Sequence, residues 1–120
     1  GAHKAMEAGA WGIVVSNHGG RVLDGTPATC EVLPAIREAV GDRMTIFVDG
    51  GVRSGADVFR MLALGADAVL VGRPYTVAAY SGGAQGVALY SQMLVGQLKD
   101  VMKMTGCATL ADIGPDRIGR

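Results

Sequence analysis

The sequence predicts an α/β fold around a parallel sheet. Three observations carry that prediction. Short apolar runs alternate with helical stretches in the order α-β-α-β-α-β-α. The runs are apolar on both faces, as parallel strands covered by helices on both sides would be. Two of them end in segments that combine glycine with charge: Ile13-Val14-Val15 passes into Ser16-Asn17-His18-Gly19-Gly20-Arg21, and Ile46-Phe47-Val48 into Asp49-Gly50-Gly51-Val52-Arg53-Ser54-Gly55.

The elements follow in order. Gly1 to Ala8 is short and helix-like, and Gly9 suits its C-terminal cap. Strand one covers about Trp11 to Val15. After a loop over Ser16 to Gly25, Thr26-Pro27 opens a helical stretch with apolar residues at Val32, Leu33, Ile36 and Val40. Pro34 inside it predicts a late start or a kink, and Gly41 ends it. Strand two covers about Thr45 to Val48. Ser54 or Gly55 can cap a short helix through Leu64, closed by Gly65. Strand three covers about Ala68 to Val71 and leads into Gly72-Arg73-Pro74. A loop containing Gly82-Gly83 is expected next. The last helix, about Gln85 to Thr105, repeats apolar residues at Val87, Tyr90, Leu94, Leu98, Val101 and Met102.

An internal echo supports the unit structure. Ala8-Gly9-Ala10-Trp11-Gly12-Ile13-Val14-Val15 is similar to Leu64-Gly65-Ala66-Asp67-Ala68-Val69-Leu70-Val71, each a helix end, a glycine and an apolar strand. Such units build either an open doubly wound sheet or a (β/α)8 barrel. Three units cannot close a barrel, which needs about 250 residues. The expectation is a later portion of a longer domain, spanning residues 1–120.

Composition excludes several classes. Of 120 residues, 49% are hydrophobic and 18% charged, the balance of an ordinary globular chain. Eleven basic and 11 acidic residues cancel, which argues against a broad nucleic-acid footprint or a membrane-surface patch. Apolar stretches break well short of a membrane span. Cys30 and Cys107 form no CxxC pair and read as buried or half-buried thiols in a reducing, cytoplasmic setting. No zinc spacing, Walker A or GxGxxG motif is present.

Chemistry concentrates at the strand ends. A lone histidine is more often structural than catalytic, but His18 stands just past a strand, between Asn17 and a glycine pair, three residues from Arg21. Histidine can act as a base near neutral pH, and a guanidinium matches a carboxylate bidentately. The pair suits an acid substrate with a removable proton. His3, without such company, reads as a surface residue. In the second segment, glycine-rich backbone before a helix forms an anion site, with Arg53 adding charge. Gly72 and Arg73 repeat the pattern at the next strand. One such loop is as readily a turn with solvated arginines. Two adjacent ones favour phosphate. Asp49, repelled by phosphate, should accept from a hydroxyl of the same ligand. Asp24 and Glu31 are better explained as loop and helix-start acids, and Met93, Met102 and Met104 as core or interface residues.

Ser16-Asn17-His18-Gly19-Gly20-Arg21-Val22-Leu23-Asp24 resembles the active-site signature of the FMN-dependent α-hydroxy-acid oxidases and dehydrogenases. Asp49 to Val58, Ala63 to Ala66 and Gly72-Arg73-Pro74 resemble their FMN-phosphate region. The match is collinear from Ala5 to about Ile113. It implies a partial TIM (β/α)8 barrel, strands six to eight with flanking helices, the C-terminal part of such an enzyme. It also implies FMN as cofactor and a small L-2-hydroxy acid of the lactate or glycolate type as substrate. His18 is then the catalytic base and Arg21 the carboxylate anchor, with the α-hydrogen leaving as hydride to flavin N5. Ser16 touches the flavin and Asp49 the ribityl chain. Gly50, Gly51, Val52, Arg53, Gly72 and Arg73 hold the phosphate.

The lysine, tyrosines and partner acid of that family fall before Gly1, so the isolated chain is expected to be inactive and to hold FMN weakly or not at all. Two alternatives stand beside this: a related FMN barrel, such as a type 2 isopentenyl diphosphate isomerase or a glutamate synthase-like domain, and a non-catalytic phosphate-binding or assembly half-barrel. The former share the phosphate loops but not the Asn17 to Arg21 set. Open sheet edges predict self-association into a homo-oligomer.

Overall fold

The frame is a three-stranded parallel sheet in the order β1-β2-β3, seen in a computed structural model that describes residues 1–119. Strands β1 (Gly12–Val15), β2 (Thr45–Val48) and β3 (Ala68–Val69) pair in register, Val15 opposite Val48 and Val48 opposite Val69. Gly12 lets the first two strands close up: a Cβ there would stand 2.9 Å from the Thr45 carbonyl oxygen.

Four helical stretches accompany the sheet: α1 (Ala2–Glu7), α2 (Thr29–Val40), α3 (Gly55–Ala63) and α4 (Arg73–Thr105). Val15, Ile46 and Val48 form one core with Leu33 and Val40 of α2 and Met61 of α3, and α1 packs Ala2, Ala5 and Met6 against it. Helices α1 to α3 therefore cover the same face. The reason is topological. Right-handed crossovers between strands in simple sequential order all fall on one side, whereas a doubly wound sheet needs the order to reverse. The strand order thus selects the singly wound, barrel-type alternative.

This corrects the expectation of strands covered on both faces. The opposite face, carrying Val14, Phe47 and Ala68 in register, is open. Val14 is 54% exposed and Leu70 42%. Trp11 meets Phe47 edge-on at 6.1 Å and is otherwise solvent-facing.

Charge fastens the bottom of the sheet. Arg37 of α2 donates from Nε to the Gly65 carbonyl at 2.7 Å and from Nη1 to the Gly41 carbonyl at 2.8 Å. Its Nη2 pairs with Asp67, whose Oδ2 also accepts the Ile46 N–H at 2.7 Å. One guanidinium so joins α2 to the approaches of two strands.

Local chemistry sets the helix ends. Ser54 caps α3, its Oγ accepting the Asp57 N–H at 3.2 Å while the Asp57 carboxylate accepts from the Ser54 and Arg53 N–H groups. Burial pushes the Asp57 carboxyl up. The Ser54 hydroxyl, the Arg53 and Ser54 N–H groups and the Arg60 charge together outweigh it and hold the group below the usual carboxylate range. The start of α2 uses Glu31, which accepts the Ala28 N–H at 2.9 Å. Glu31 is therefore a helix-start acid. Helix α2 starts late, at Thr29, and continues through Pro34.

The segment after β3 departs from the expected loop. The chain is helical from Arg73, and Gly82-Gly83 marks an interruption within the helical stretch, with Gly83 at φ 55° and ψ −141°. The chain doubles back there. Gly86 lies so close to the Ala78 carbonyl that a side chain would overlap it. The Tyr75 and Ser91 hydroxyls bond at 2.8 Å. Turn glycines concealed a helix whose stability comes from packing on its own continuation rather than from propensity. The stripe on that continuation is as the spacing predicts, with Leu94 buried, but Met93 and Met104 are exposed. Cys30 is also exposed, against expectation, while Cys107 is buried.

Candidate active site

Beyond β1 the backbone ties itself into a compact loop. Asn17 Oδ1 accepts the Gly19 N–H at 3.0 Å, and its Nδ2 donates to the Pro27 carbonyl at 3.3 Å. The His18 N–H donates to Ser16 Oγ at 3.1 Å, and Arg21 Nε to the His18 carbonyl at 3.3 Å. His18 has φ 53°, the one non-glycine residue with positive φ among those described. Such a conformation costs about 1–3 kcal/mol and persists only where the surroundings impose it. Here the flanking hydrogen bonds do so, and the imidazole is left exposed at the strand end.

Beyond β2 the backbone turns through Gly50 (φ 95°) and Gly51 (φ 79°) into the capped start of α3. The N–H groups of Gly50, Gly51 and Val52 donate to no protein acceptor among the described residues. Asp49 Oδ1 is buried without a hydrogen-bond partner, a condition that costs free energy unless a ligand supplies the donor. Helix α4 braces this loop. Tyr90 donates its phenol to the Arg53 carbonyl at 2.8 Å and meets Tyr75 edge-on at 4.9 Å. Burial, then the Tyr75 and Asp57 charges, raise the Tyr90 phenol, which keeps it a proton donor. Gly55 lies against the Leu94 and Leu98 backbone, where any side chain would overlap, and donates its N–H to Gln97 Oε1 at 2.9 Å.

The three strand ends open on one cleft of about 420 Å³. His18, Gly19 and Arg21 line it from the first loop, Asp49 to Arg53 from the second, and Leu70, Gly72 and Arg73 with Pro74 and Val77 from the third. Arg21, Arg53 and Arg73 form no ion pair among the described residues. Three guanidiniums without a carboxylate partner, Arg21 engaged only through Nε, and a row of free N–H groups make an anion site, with one carboxylate oxygen available to a hydroxyl donor. Among the described residues no cluster of histidine, cysteine and acid could hold a metal ion. Ser16 is exposed and does not line the cleft; its Oγ holds the His18 backbone. Leu70 and Val77 were not legible as site residues, because apolar lining carries no chemical signature.

Comparison with known proteins decides the lineage. The family model described as FMN-dependent dehydrogenase matches residues 1–120. The chain belongs to the FMN-dependent dehydrogenase family. Its relatives include an L-lactate oxidase of Alicycliphilus denitrificans, 55% identical over 117 residues that cover 98% of this chain and 32% of that protein. Another is an L-lactate dehydrogenase of Chromohalobacter salexigens, 46% identical and covering 98% of this chain and 30% of that protein. A crystal structure of mandelate oxidase, 47% identical, superposes with a TM-score of 0.89 over 92% of this chain and 34% of the other. The chain therefore spans about a third of the length of the relatives it matches, and its fold is part of a TIM barrel. In a (β/α)8 barrel the helices form the outer ring, so the open sheet face corresponds to the barrel interior, and the cleft stands at the C-terminal ends of the strands, where barrel enzymes carry their chemistry.

Proposed function

We propose that residues 1–120 are the C-terminal part of a larger barrel domain, and that the full-length protein oxidises a small L-2-hydroxy acid, of the lactate or glycolate type, to the 2-oxo acid with FMN. The observation that carries this is the donor set of the cleft. An unpaired buried Asp49 oxygen, free N–H groups and guanidiniums without a carboxylate partner share one hollow with an exposed histidine. A phosphate monoester joined to a polyhydroxyl chain matches that set, and FMN carries both.

The residues divide the work. Gly50, Gly51 and Val52 hold the phosphate through backbone N–H groups, with Arg53, Gly72 and Arg73. Asp49 accepts from a ribityl hydroxyl. Ser16 Oγ, which accepts from the His18 N–H, keeps its own proton to donate toward the flavin. Arg21 binds the substrate carboxylate with its terminal nitrogens, since Nε holds the His18 carbonyl. His18 takes the proton of the substrate hydroxyl as the carbonyl forms. FMN, when bound, supplies the acceptor for the α-hydrogen and its electron pair. The relatives named for lactate support the substrate class.

The partner acid of His18 and the rest of the barrel lie outside these residues, so the isolated chain is inactive. Its open sheet face and edges favour assembly into a homo-oligomer. The two unpaired thiols favour a cytoplasmic setting. No helix among the described residues is long and apolar enough to cross a membrane.

The test compares the full-length protein with the isolated chain, each assayed on a panel of 2-hydroxy acids. The full-length protein should be yellow with stoichiometric FMN and active, and the isolated chain colourless and inactive. A colourless full-length protein that turns over no 2-hydroxy acid would falsify the proposal.

A further inference from the structure

The histidine loop and the FMN loop meet behind the cleft, at a residue that neither motif contains. Thr29, in the first turn of α2, is 3% exposed and donates its hydroxyl to the Asp49 carbonyl. Gly50 sits against it. A Cβ at position 50 would stand 2.9 Å from Thr29 Oγ1 and 3.2 Å from Asn17 Oδ1. That same Asn17 oxygen accepts the Gly19 N–H next to His18.

A peptide unit is planar and trans, so its carbonyl and its N–H point in opposite directions. Fixing the Asp49 carbonyl on Thr29 therefore turns the Gly50 N–H away from α2. Gly50 lines the cleft, and its N–H has no protein acceptor among the described residues. Asp49 and its unpartnered carboxylate oxygen belong to the same hinge.

We propose that Thr29 is a positioning residue: its buried hydroxyl holds the Asp49–Gly50 peptide in the orientation that presents the Gly50 N–H to an oxygen of bound FMN. The proposal rests on the FMN reading above. A side chain of equal shape without the hydroxyl leaves this half-buried carbonyl without its partner and free to rotate, and the N–H rotates with it.

The experiment titrates deflavinated full-length protein with FMN, followed by flavin fluorescence, for wild type, Thr29→Val and Thr29→Ser. Thr29→Ser should stay within about twofold of wild type and Thr29→Val should bind about tenfold more weakly, the size of one net hydrogen bond. Equal affinity of Thr29→Val and wild type, or equal loss in both variants, overturns the positioning role and leaves the FMN reading standing. A wild type that does not bind FMN removes that reading and this proposal together. Hydrogen exchange at the Gly50 amide of wild type needs no variant. FMN should slow it, and unchanged exchange at saturating FMN overturns the proposal.

Discussion

The Arg73 guanidinium lies against Gly19, so that a Cβ at position 19 would stand 2.7 Å from its Nη2. Arg73 opens α4 after the third strand, and Gly19 follows His18 after the first. The contact closes the cleft across the sheet and brings the proposed phosphate ligand beside the proposed base. Gly19 also has φ 68°, where a side chain costs about 1–2 kcal/mol. Gly19→Ala should therefore displace Arg73 and weaken FMN retention by the full-length protein about tenfold or more. Combining it with Arg73→Ala should cost less than the sum of the two changes. Strict additivity in FMN titrations would show that the two residues do not act on each other.

His18→Gln keeps a polar side chain but removes the base. Turnover should fall about 10²- to 10⁴-fold, the usual contribution of a positioned general base, while the protein stays yellow. Loss of flavin along with activity would mean that His18 shapes the FMN loop instead. Arg21→Lys should act mainly on KM for the hydroxy acid, because an ammonium cannot reproduce the planar fork.

Stability at the other end of the sheet depends on Arg37. Arg37→Met keeps much of the apolar stem but strands the Gly65 and Gly41 carbonyls and the Asp67 carboxylate. The loss should be about 2–3 kcal/mol, with little change in FMN affinity. Denaturant unfolding measures the first and flavin titration the second. An unchanged midpoint would place the folding energy elsewhere.

Asp57 sets an acid limit. Its folded pKa is lowered, so the stability it contributes is complete above the unfolded value of about 3.9. That contribution is lost as pH falls through the lower folded value. Asp57→Asn should cost about 1 kcal/mol of stability at neutral pH, the worth of a cap, seen as a lower thermal midpoint that falls less steeply in acid. A variant whose midpoint tracks wild type between pH 7 and pH 2 would contradict this.

The open face of the sheet gives a physical prediction for the isolated chain. Val14, Leu70 and Trp11 leave apolar area in water beside two unpaired edges. Light scattering should show mass rising with concentration, and charge introduced by Val14→Lys should reduce it. A sharp monomer at high concentration would leave the face without an attractive role.

Much of this molecule was determined by short-range sequence. The strand ends at Val15 and Val48, the cap at Ser54, the helix-start acid Glu31 and the apolar stripe through Leu94 all follow from spacing and local hydrogen bonding. The glycine-and-charge segments marked His18, Arg21 and Asp49 to Arg53 because few structural roles need those residue types together. Tertiary structure decided the rest. Sequential strand order put every crossover on one face and left the other open, which no strand's own pattern reveals. The helix after Arg73 forms because it packs against its own continuation, although Gly82-Gly83 reads locally as a turn. The buried hydroxyl of Thr29, the seat of Gly55 under Leu94 and the approach of Arg73 to Gly19 join residues 20, about 40 and about 54 positions apart. Such contacts exist only once the βα units stack side by side, because it is stacking that brings separate strand ends to one edge of the sheet.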